Sequence, residues 1–169
     1  MNKTVFINTV NFLVLVLFQV VLFNHINFLG YINPYIYILF IVFFPYNKDN
    51  RIFFILCCFI LGFCIDIFSD SGGVHAAACL VIGYLRPMMM RFVFGLSYDY
   101  YNIKIEKTHF GQRINFLLIL ILTHHLILFS LEIFSFAHIV LILKKTVFSA
   151  IFTLLLCLIF ISLFSRRSS

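Results

Sequence analysis

Long apolar runs dominate this chain and set what it can fold into. Five of them have about the 20 residues that a helix needs to cross a bilayer, where lipid gives backbone N–H and C=O groups no hydrogen-bond partners. Only 11% of the 169 residues are charged, too few to cover a water-facing surface. The composition therefore excludes a soluble domain and predicts an all-α polytopic membrane protein.

A sixth apolar segment is bounded and interrupted by proline. Asn33 suits a helix N-cap and Pro34 the first helical position, which predicts a helix over Tyr35–Phe44 that Pro45 ends. This helix is short, so it either begins earlier with a kink at Pro34 or crosses a tilted or thinned region. The sequence predicts one membrane domain, residues 1–169, a bundle of six transmembrane helices at about 5–23, 28–44, 52–69, 74–94, 114–136 and 146–164.

Positive charge is divided unevenly between the two sides of this bundle. With the N-terminus inside, ten of the 12 Lys and Arg residues fall on the cytoplasmic side, and only Lys144 and Lys145 on the other. Such a bias predicts that both termini are cytoplasmic. The basic residues are scattered between apolar runs, which argues against nucleic acid as a partner despite the net charge of +6. The basic loop at 95–113 suits cytoplasmic components or anionic membrane lipid instead.

The first span carries a row of polar side chains. At about 100° per residue, one sector of the helix holds Thr4, Asn8, Asn11 and Gln19. Polar groups in a span are costly, so this row faces protein or water rather than lipid. Two interpretations stay open: hydrogen bonds to neighbouring helices, or a face that receives a partner protein or lines a cavity.

The third and fourth spans are joined by a tight turn. Gly72 and Gly73 are expected to adopt positive φ there. Either Asp70 or Ser71 is expected to cap the start of the fourth span.

Small and ionisable residues flank this turn. Gly62 and Asp66 share one face of the third span, and the fourth span presents His75, Gly83 and Arg86 on one face. The two glycines predict a close approach of the helix backbones. Asp66 and His75 are close enough in this arrangement to pair, although a carboxylate satisfied by the neighbouring helix is the alternative for Asp66.

The remaining ionisable residues match no catalytic or metal motif. Asp66 and Asp70 come from one helix instead of converging from two, and no nucleophile elbow or glycine-rich nucleotide loop occurs. His124 and His125 point to different faces of the helix, which argues against a metal site formed by this pair. For His125 and Glu132, a proton relay is the alternative to ordinary contacts between helices. The sequence predicts no enzyme, no metal and no cofactor.

The cysteines suit small hydrophobic positions, and i+4 spacing predicts a packing seam at Lys145, Ser149, Thr153 and Cys157.

The stretch from Gly62 to Ala78 resembles the signature of the MreD family of rod shape-determining membrane proteins. That family shows a glycine, an aspartate four residues on, a short polar turn with glycine, and an Ala-rich helix ending in Tyr near a basic residue. Gly62, Asp66, Gly72-Gly73 and the run Gly83-Tyr84-Leu85-Arg86-Pro87 match it here, in the form of Bacteroidetes-type members. Asp70 departs from the uncharged residue that is usual in the turn.

The resemblance implies a non-enzymatic scaffold in the bacterial inner membrane. MreD-like proteins work in the elongation machinery for peptidoglycan, with MreC as the direct partner and with MreB filaments, RodA and its transpeptidase. The asparagine row or the Asp66/His75 corner is then expected to receive the membrane anchor of MreC. The family is also similar in fold to the substrate-binding subunits of energy-coupling-factor transporters, so a small-solute (vitamin-type) binding subunit is the alternative.

Overall fold

Six α-helices are present in the part of the chain that the computed structural model describes, which is residues 3–24, 26, 28, 30, 32–45, 50–95 and 105–166. The helices are α1 (Lys3–Phe18), α2 (Ile38–Phe43), α3 (Arg51–Ser69), α4 (Val74–Phe94), α5 (Phe110–Ile133) and α6 (Ile139–Arg166). α1 continues as a π-helix, Gln19–Phe23. Within those residues there is no strand, and a single β-bridge joins Phe28 and Ile32. Three residues of the charge count, Lys48, Lys104 and Arg167, and residues 96–104 of the basic loop lie outside the described residues.

Five helices are long and apolar enough to cross a membrane, namely Phe6–Phe23, Arg51–Ser69, Val74–Phe94, Phe110–Ile133 and Ile139–Leu163. The predicted all-α class is therefore confirmed. α3 packs on α4, α4 on α5, and α5 on α6, so these four helices follow chain order through the bundle. α1 lies at the edge: 6% of its spanning residues are buried within the chain, against 33–44% in the apolar stretches of the other four helices.

The last two long helices begin earlier than the sequence predicts. α5 begins at Phe110 and not at residue 114, and α6 begins at Ile139 and not at residue 146. Lys144 and Lys145 therefore lie inside α6. The reason is a partner on α5: Lys145 Nζ donates to Glu132 Oε1 at 2.8 Å, so the lysine does not need to mark a helix end.

The sixth predicted helix, expected over Tyr35–Phe44 within a span at about 28–44, begins later and is shorter in the structure. A helix of six residues, Ile38–Phe43, follows an extended stretch that contains Asn33 and Pro34, and Tyr37 takes the N-cap position that was predicted for Asn33. The end is as predicted: Phe44 has ψ 127°, the extended conformation that a following proline favours.

Residues 32–45, here called the central segment, form the most buried part of the described chain. All residues from Pro34 to Val42 are buried, and Tyr37 is fully enclosed. Side chains from other helices bind the extended backbone: Ile36 N donates to Gln19 Oε1 at 2.8 Å, Asn33 N to Ser149 Oγ at 3.1 Å, and Tyr35 N to Thr153 Oγ1 at 3.1 Å. An extended stretch is stable inside a helical bundle here because these side chains replace the missing helix hydrogen bonds.

Candidate functional site

Asp66 fixes the start of α4 from the end of α3. Its Oδ1 accepts from Ser71 Oγ (2.6 Å) and His75 N (3.0 Å), and its Oδ2 accepts from Ala76 N (2.8 Å). The first N–H groups of a helix have no partner within the helix, and a carboxylate there also interacts favourably with the helix dipole. Asp66 is 6% exposed and acts as the cap of the neighbouring helix, the alternative that the sequence left open.

Two expectations for this corner are wrong. Asp66 contacts the backbone of His75 and not its imidazole, which turns away toward Tyr37. Neither Asp70 nor Ser71 caps α4: Gly73 occupies the N-cap position, and Asp70 closes α3 in the left-handed conformation at φ 49°. The carboxylate of Asp66 reaches across the turn and satisfies the N–H groups that a local cap would have taken.

The predictions for the four glycines of the hairpin are confirmed. Gly72 and Gly73 have φ +67° and +95°. A Cβ on Gly62 would overlap the backbone of His75 and Ala76, and a Cβ on Gly83 would lie 2.8 Å from Cys58 Sγ. α3 and α4 therefore touch at backbone distance near the turn, and more loosely at Gly83.

A buried hydroxyl joins two histidines beside this hairpin. Tyr37 Oη lies 2.7 Å from His75 Nδ1 and 3.0 Å from His124 Nε2, and all three residues are buried. The ring of Tyr35 packs next to them, with its centroid 5.2 Å from that of His75 and 5.3 Å from that of His125. The central segment thus carries the link between α4 and α5.

The predicted seam on α6 is confirmed by burial and by its hydrogen bonds. Ser149, Thr153 and Cys157 are fully buried. Thr153 Oγ1 binds His125 Nε2 at 3.1 Å in addition to the backbone of Tyr35. His125 is a helix-contact residue, whereas Glu132 is exposed and paired with Lys145, so the two do not form a relay.

The end of the bundle where α3 turns into α4 contains a cavity of about 510 Å³. We call it the turn-end cavity. Its polar lining residues come from four parts of the chain, and they are Asn24, Asn33, Tyr35, Ser69, Asp70, Ser71, His75 and Glu132. Of the predicted site residues, His75 lines this cavity, while Asp66 and Gly62 lie behind it as supports.

Arg86 holds the other end of the central segment. Its Nη1 donates to Phe44 O and its Nη2 to Val42 O, both at 2.9 Å, and its guanidinium lies 5.2 Å from the ring centroid of Phe54. These carbonyls belong to the end of α2, where helix carbonyls lack partners and a cation is favourable. Arg86 is 3% exposed, so it is a structural clamp and not a surface charge.

We expect Arg86→Lys to lower the free energy of unfolding by about 1.5–3 kcal/mol, because one ammonium group does not reproduce the two-pronged contact. Thermal unfolding in detergent measures this, with a thiol-reactive dye that reports exposure of the buried cysteines. Arg91→Lys, an exposed position on the same helix, is the control and should change stability by less than about 0.5 kcal/mol. Equal effects of the two substitutions would contradict the clamp.

The polar row on α1 divides into two parts. Gln19 is fully buried; its Nε2 donates to Asn24 Oδ1 and Pro34 O, and its Oε1 accepts from Ile36 N. Asn8 and Asn11 line a second cavity of about 400 Å³ between α1, the central segment and α6, here called the α1 groove. Neither asparagine has a hydrogen-bond partner among the described residues.

Sequence reasoning missed Tyr35 and Tyr37, which carry the link to the histidines. The signal was present in the alternation of Tyr and Ile over residues 35–38, directly after Pro34. A period of two after a proline favours an extended stretch over a helix.

Among the described residues, no group of three or more His, Cys, Asp and Glu side chains is placed to hold a metal ion. All five cysteines are free.

The comparisons with known proteins leave the family unassigned. No protein-family model, no curated protein and no solved structure matches this chain.

Proposed function

We propose that this chain is a non-enzymatic, MreD-like scaffold of the cell-elongation machinery that binds the single membrane helix of MreC. The observation that carries the proposal is the α1 groove. Asn8 and Asn11 lie at helical spacing on the least buried of the long helices, and both amides lack a partner among the described residues. Unpaired amides at membrane depth are costly, and a second helix in the groove would supply their partners.

The lining of the groove suits contact with one apolar helix. Apart from Glu106, its other walls are apolar, from Val14, Leu15 and Phe18 on α1 and from Phe40 and Phe44 on the central segment. An apolar helix with one or two small or polar residues facing Asn8 and Asn11 would bury these walls and satisfy the amides. This is the ordinary chemistry of helix association in lipid.

The Asp66/His75 corner has a structural role in the proposed scaffold and does not bind the partner. All three contacts of Asp66 are internal, so this carboxylate does not offer a free docking group. The residues that resemble the MreD signature instead build the rigid hairpin, through Gly62, Asp66 and Gly83. The resemblance supports the family, and in this proposal the partner binds in the groove.

The topology of the proposal has six crossings and both termini in the cytoplasm of a bacterial inner membrane. We take the central segment as the sixth crossing, which is supported by its contacts with Gln19 near the end of α1 and with Phe54 near the start of α3. The positive-inside count then places the turn-end cavity on the outer side. MreB, RodA and its transpeptidase are reached through MreC and the cytoplasmic loops.

Replacing both groove amides should weaken MreC binding. We expect Asn8→Leu with Asn11→Leu to lower recovery of co-expressed MreC by roughly tenfold, since each interhelical hydrogen bond contributes about 0.6 kcal/mol or more. Pull-down from detergent extracts, normalised to the amount of bait, measures the recovery.

The matched control is Leu13→Ala with Leu17→Ala. Both leucines are exposed and lie on the opposite face of α1, so MreC recovery should not change. Full recovery with the double asparagine variant would refute the groove as the MreC site.

A second candidate function is a solute-binding subunit of an energy-coupling-factor transporter, which we base on the turn-end cavity. A volume of about 510 Å³ is in the range of small-molecule sites. Neighbouring genes separate the two candidates: an mreC neighbour supports the scaffold, whereas genes for ATPases and a coupling subunit support transport.

A further inference from the structure

The positions of the imidazole hydrogens on His75 and His124 determine which hydrogen-bonding group the turn-end cavity presents to a ligand. Tyr37 has one hydroxyl hydrogen, and besides the two histidines it contacts the thiol of Cys79 by a hydrogen bond. Because an imidazole nitrogen is a stronger acceptor than a thiol, Tyr37 donates to one of the two histidines and accepts from the other. His124 Nδ1 is buried without a partner. A buried N–H without a hydrogen-bond partner is rarer in proteins than a buried acceptor without one, so we assign the hydrogen of His124 to Nε2, where it points to Tyr37.

The hydrogen bond of Tyr37 also fixes the position of the hydrogen on His75, which lines the cavity. Because Tyr37 accepts from His124, it donates to His75 Nδ1, and the hydrogen of neutral His75 is then on Nε2. That nitrogen has no partner among the described residues, and His75 lines the cavity while being 5% exposed. The cavity floor therefore presents one fixed N–H donor.

The position of this donor is held from two sides. Asp66 binds the backbone N–H of His75, and the ring of Tyr35 packs edge-on against the imidazole. A donor that is held in place before binding loses little entropy when it meets an acceptor.

Carboxylates set the charge around this donor. Asp70 and Glu132 line the cavity, and none of the described residues that line it is Lys or Arg. Glu132 is paired with Lys145, but Asp70 forms no ion pair among the described residues. Asp66 adds negative charge directly behind His75. Aromatic faces of Phe23, Tyr35 and Phe68 complete the lining.

We infer that the turn-end cavity binds a small organic cation that also carries a neutral hydrogen-bond acceptor, with its ammonium group at Asp70 and its acceptor at His75 Nε2–H. An anionic acceptor is disfavoured because Asp70 lines the cavity without an ion pair and Asp66 lies behind His75, whereas a carbonyl or hydroxyl is not. A cation also gains from the aromatic lining. This inference rests on the second candidate function and names its ligand class.

Four related probes separate the two contacts. L-Phenylalaninamide has both groups, phenethylamine lacks the acceptor, 3-phenylpropanamide lacks the charge, and L-phenylalanine adds a negative charge. Calorimetric titration of the full chain in nanodiscs of neutral lipid should give the tightest binding for phenylalaninamide, by about tenfold or more over each of the others.

Variants assign the contacts to residues. Asp70→Asn should weaken phenylalaninamide about tenfold and leave 3-phenylpropanamide unchanged. His75→Phe should bring phenylalaninamide to the level of phenethylamine, and Tyr37→Phe, which keeps the ring at that position, should do so in part. Glu106→Gln, in the α1 groove, should change none of these affinities.

The outcomes that overturn the inference differ from those that overturn solute binding. Equal affinity for all four probes, or an unchanged affinity in Asp70→Asn, overturns the ligand class and leaves a solute-binding cavity. Absence of binding by all four probes and by a wider panel of neutral and anionic solutes overturns both.

Discussion

Gly62→Ala is expected to separate α3 from α4 and to lower the free energy of unfolding by about 3 kcal/mol or more. The added Cβ would overlap backbone atoms of His75 and Ala76, which do not move aside as the end of a flexible side chain does. The hairpin must open, and the contacts of Asp66 with the start of α4 open with it. Helix propensity favours Ala over Gly by up to about 1 kcal/mol, which offsets only part of this loss.

Thermal unfolding in detergent, followed by dye labelling of the buried cysteines, measures the effect; the chain has no Trp for intrinsic fluorescence. Gly111→Ala is the matched control, since a Cβ there meets nothing within 4 Å. The loss of unfolding free energy in Gly83→Ala should lie between the losses in Gly62→Ala and Gly111→Ala. Adding Cys58→Ala to Gly83→Ala should restore part of that loss, because the nearest atom to the new Cβ is the Cys58 sulfur. A Gly62→Ala protein as stable as Gly111→Ala would refute the close contact.

Asp66→Ala is expected to cost about 4 kcal/mol of unfolding free energy. Three donors lose their acceptor, two of them backbone N–H groups in the first turn of α4, and hydrogen bonds to charged groups contribute about 1.5–3 kcal/mol each. Asp66→Asn keeps one acceptor oxygen and should give an intermediate loss.

The control is four residues away in the same hairpin. Asp70 is exposed, and asparagine tolerates its left-handed conformation, so Asp70→Asn should change stability by less than about 0.5 kcal/mol. The same unfolding assay compares the two aspartates. Similar melting temperatures for Asp66→Ala and Asp70→Asn would contradict the capping role.

Hydropathy and local patterns predicted the helices because both depend on neighbours in sequence. The five long helices follow from apolar length, and the Gly62 contact follows from glycine spacing on adjacent spans. The central segment did not follow. Its conformation depends on Gln19, Ser149 and Thr153, which bind its backbone from distant helices. A sequence window around Pro34 contains none of these partners.

The candidate site was predicted only in part for a similar reason. Asp66 and His75 were recognised as unusual in a membrane span, but the chemistry of a buried group depends on which partner reaches it. Asp66 meets backbone N–H groups, and the imidazole of His75 meets Tyr37. Tyr37 was hidden in an apolar run, where a single hydroxyl leaves the hydropathy nearly unchanged.

The extended stretch of the central segment has a consequence for how the protein is made. Two of its peptide N–H groups depend on hydroxyls that are synthesised 116 and 118 residues later, on α6. Until α6 enters the membrane, this stretch would hold unpaired peptide groups in lipid, which is unfavourable. In the proposed six-span topology, we therefore expect the stretch to stay in a wet or shielded place until the last helix has left the ribosome.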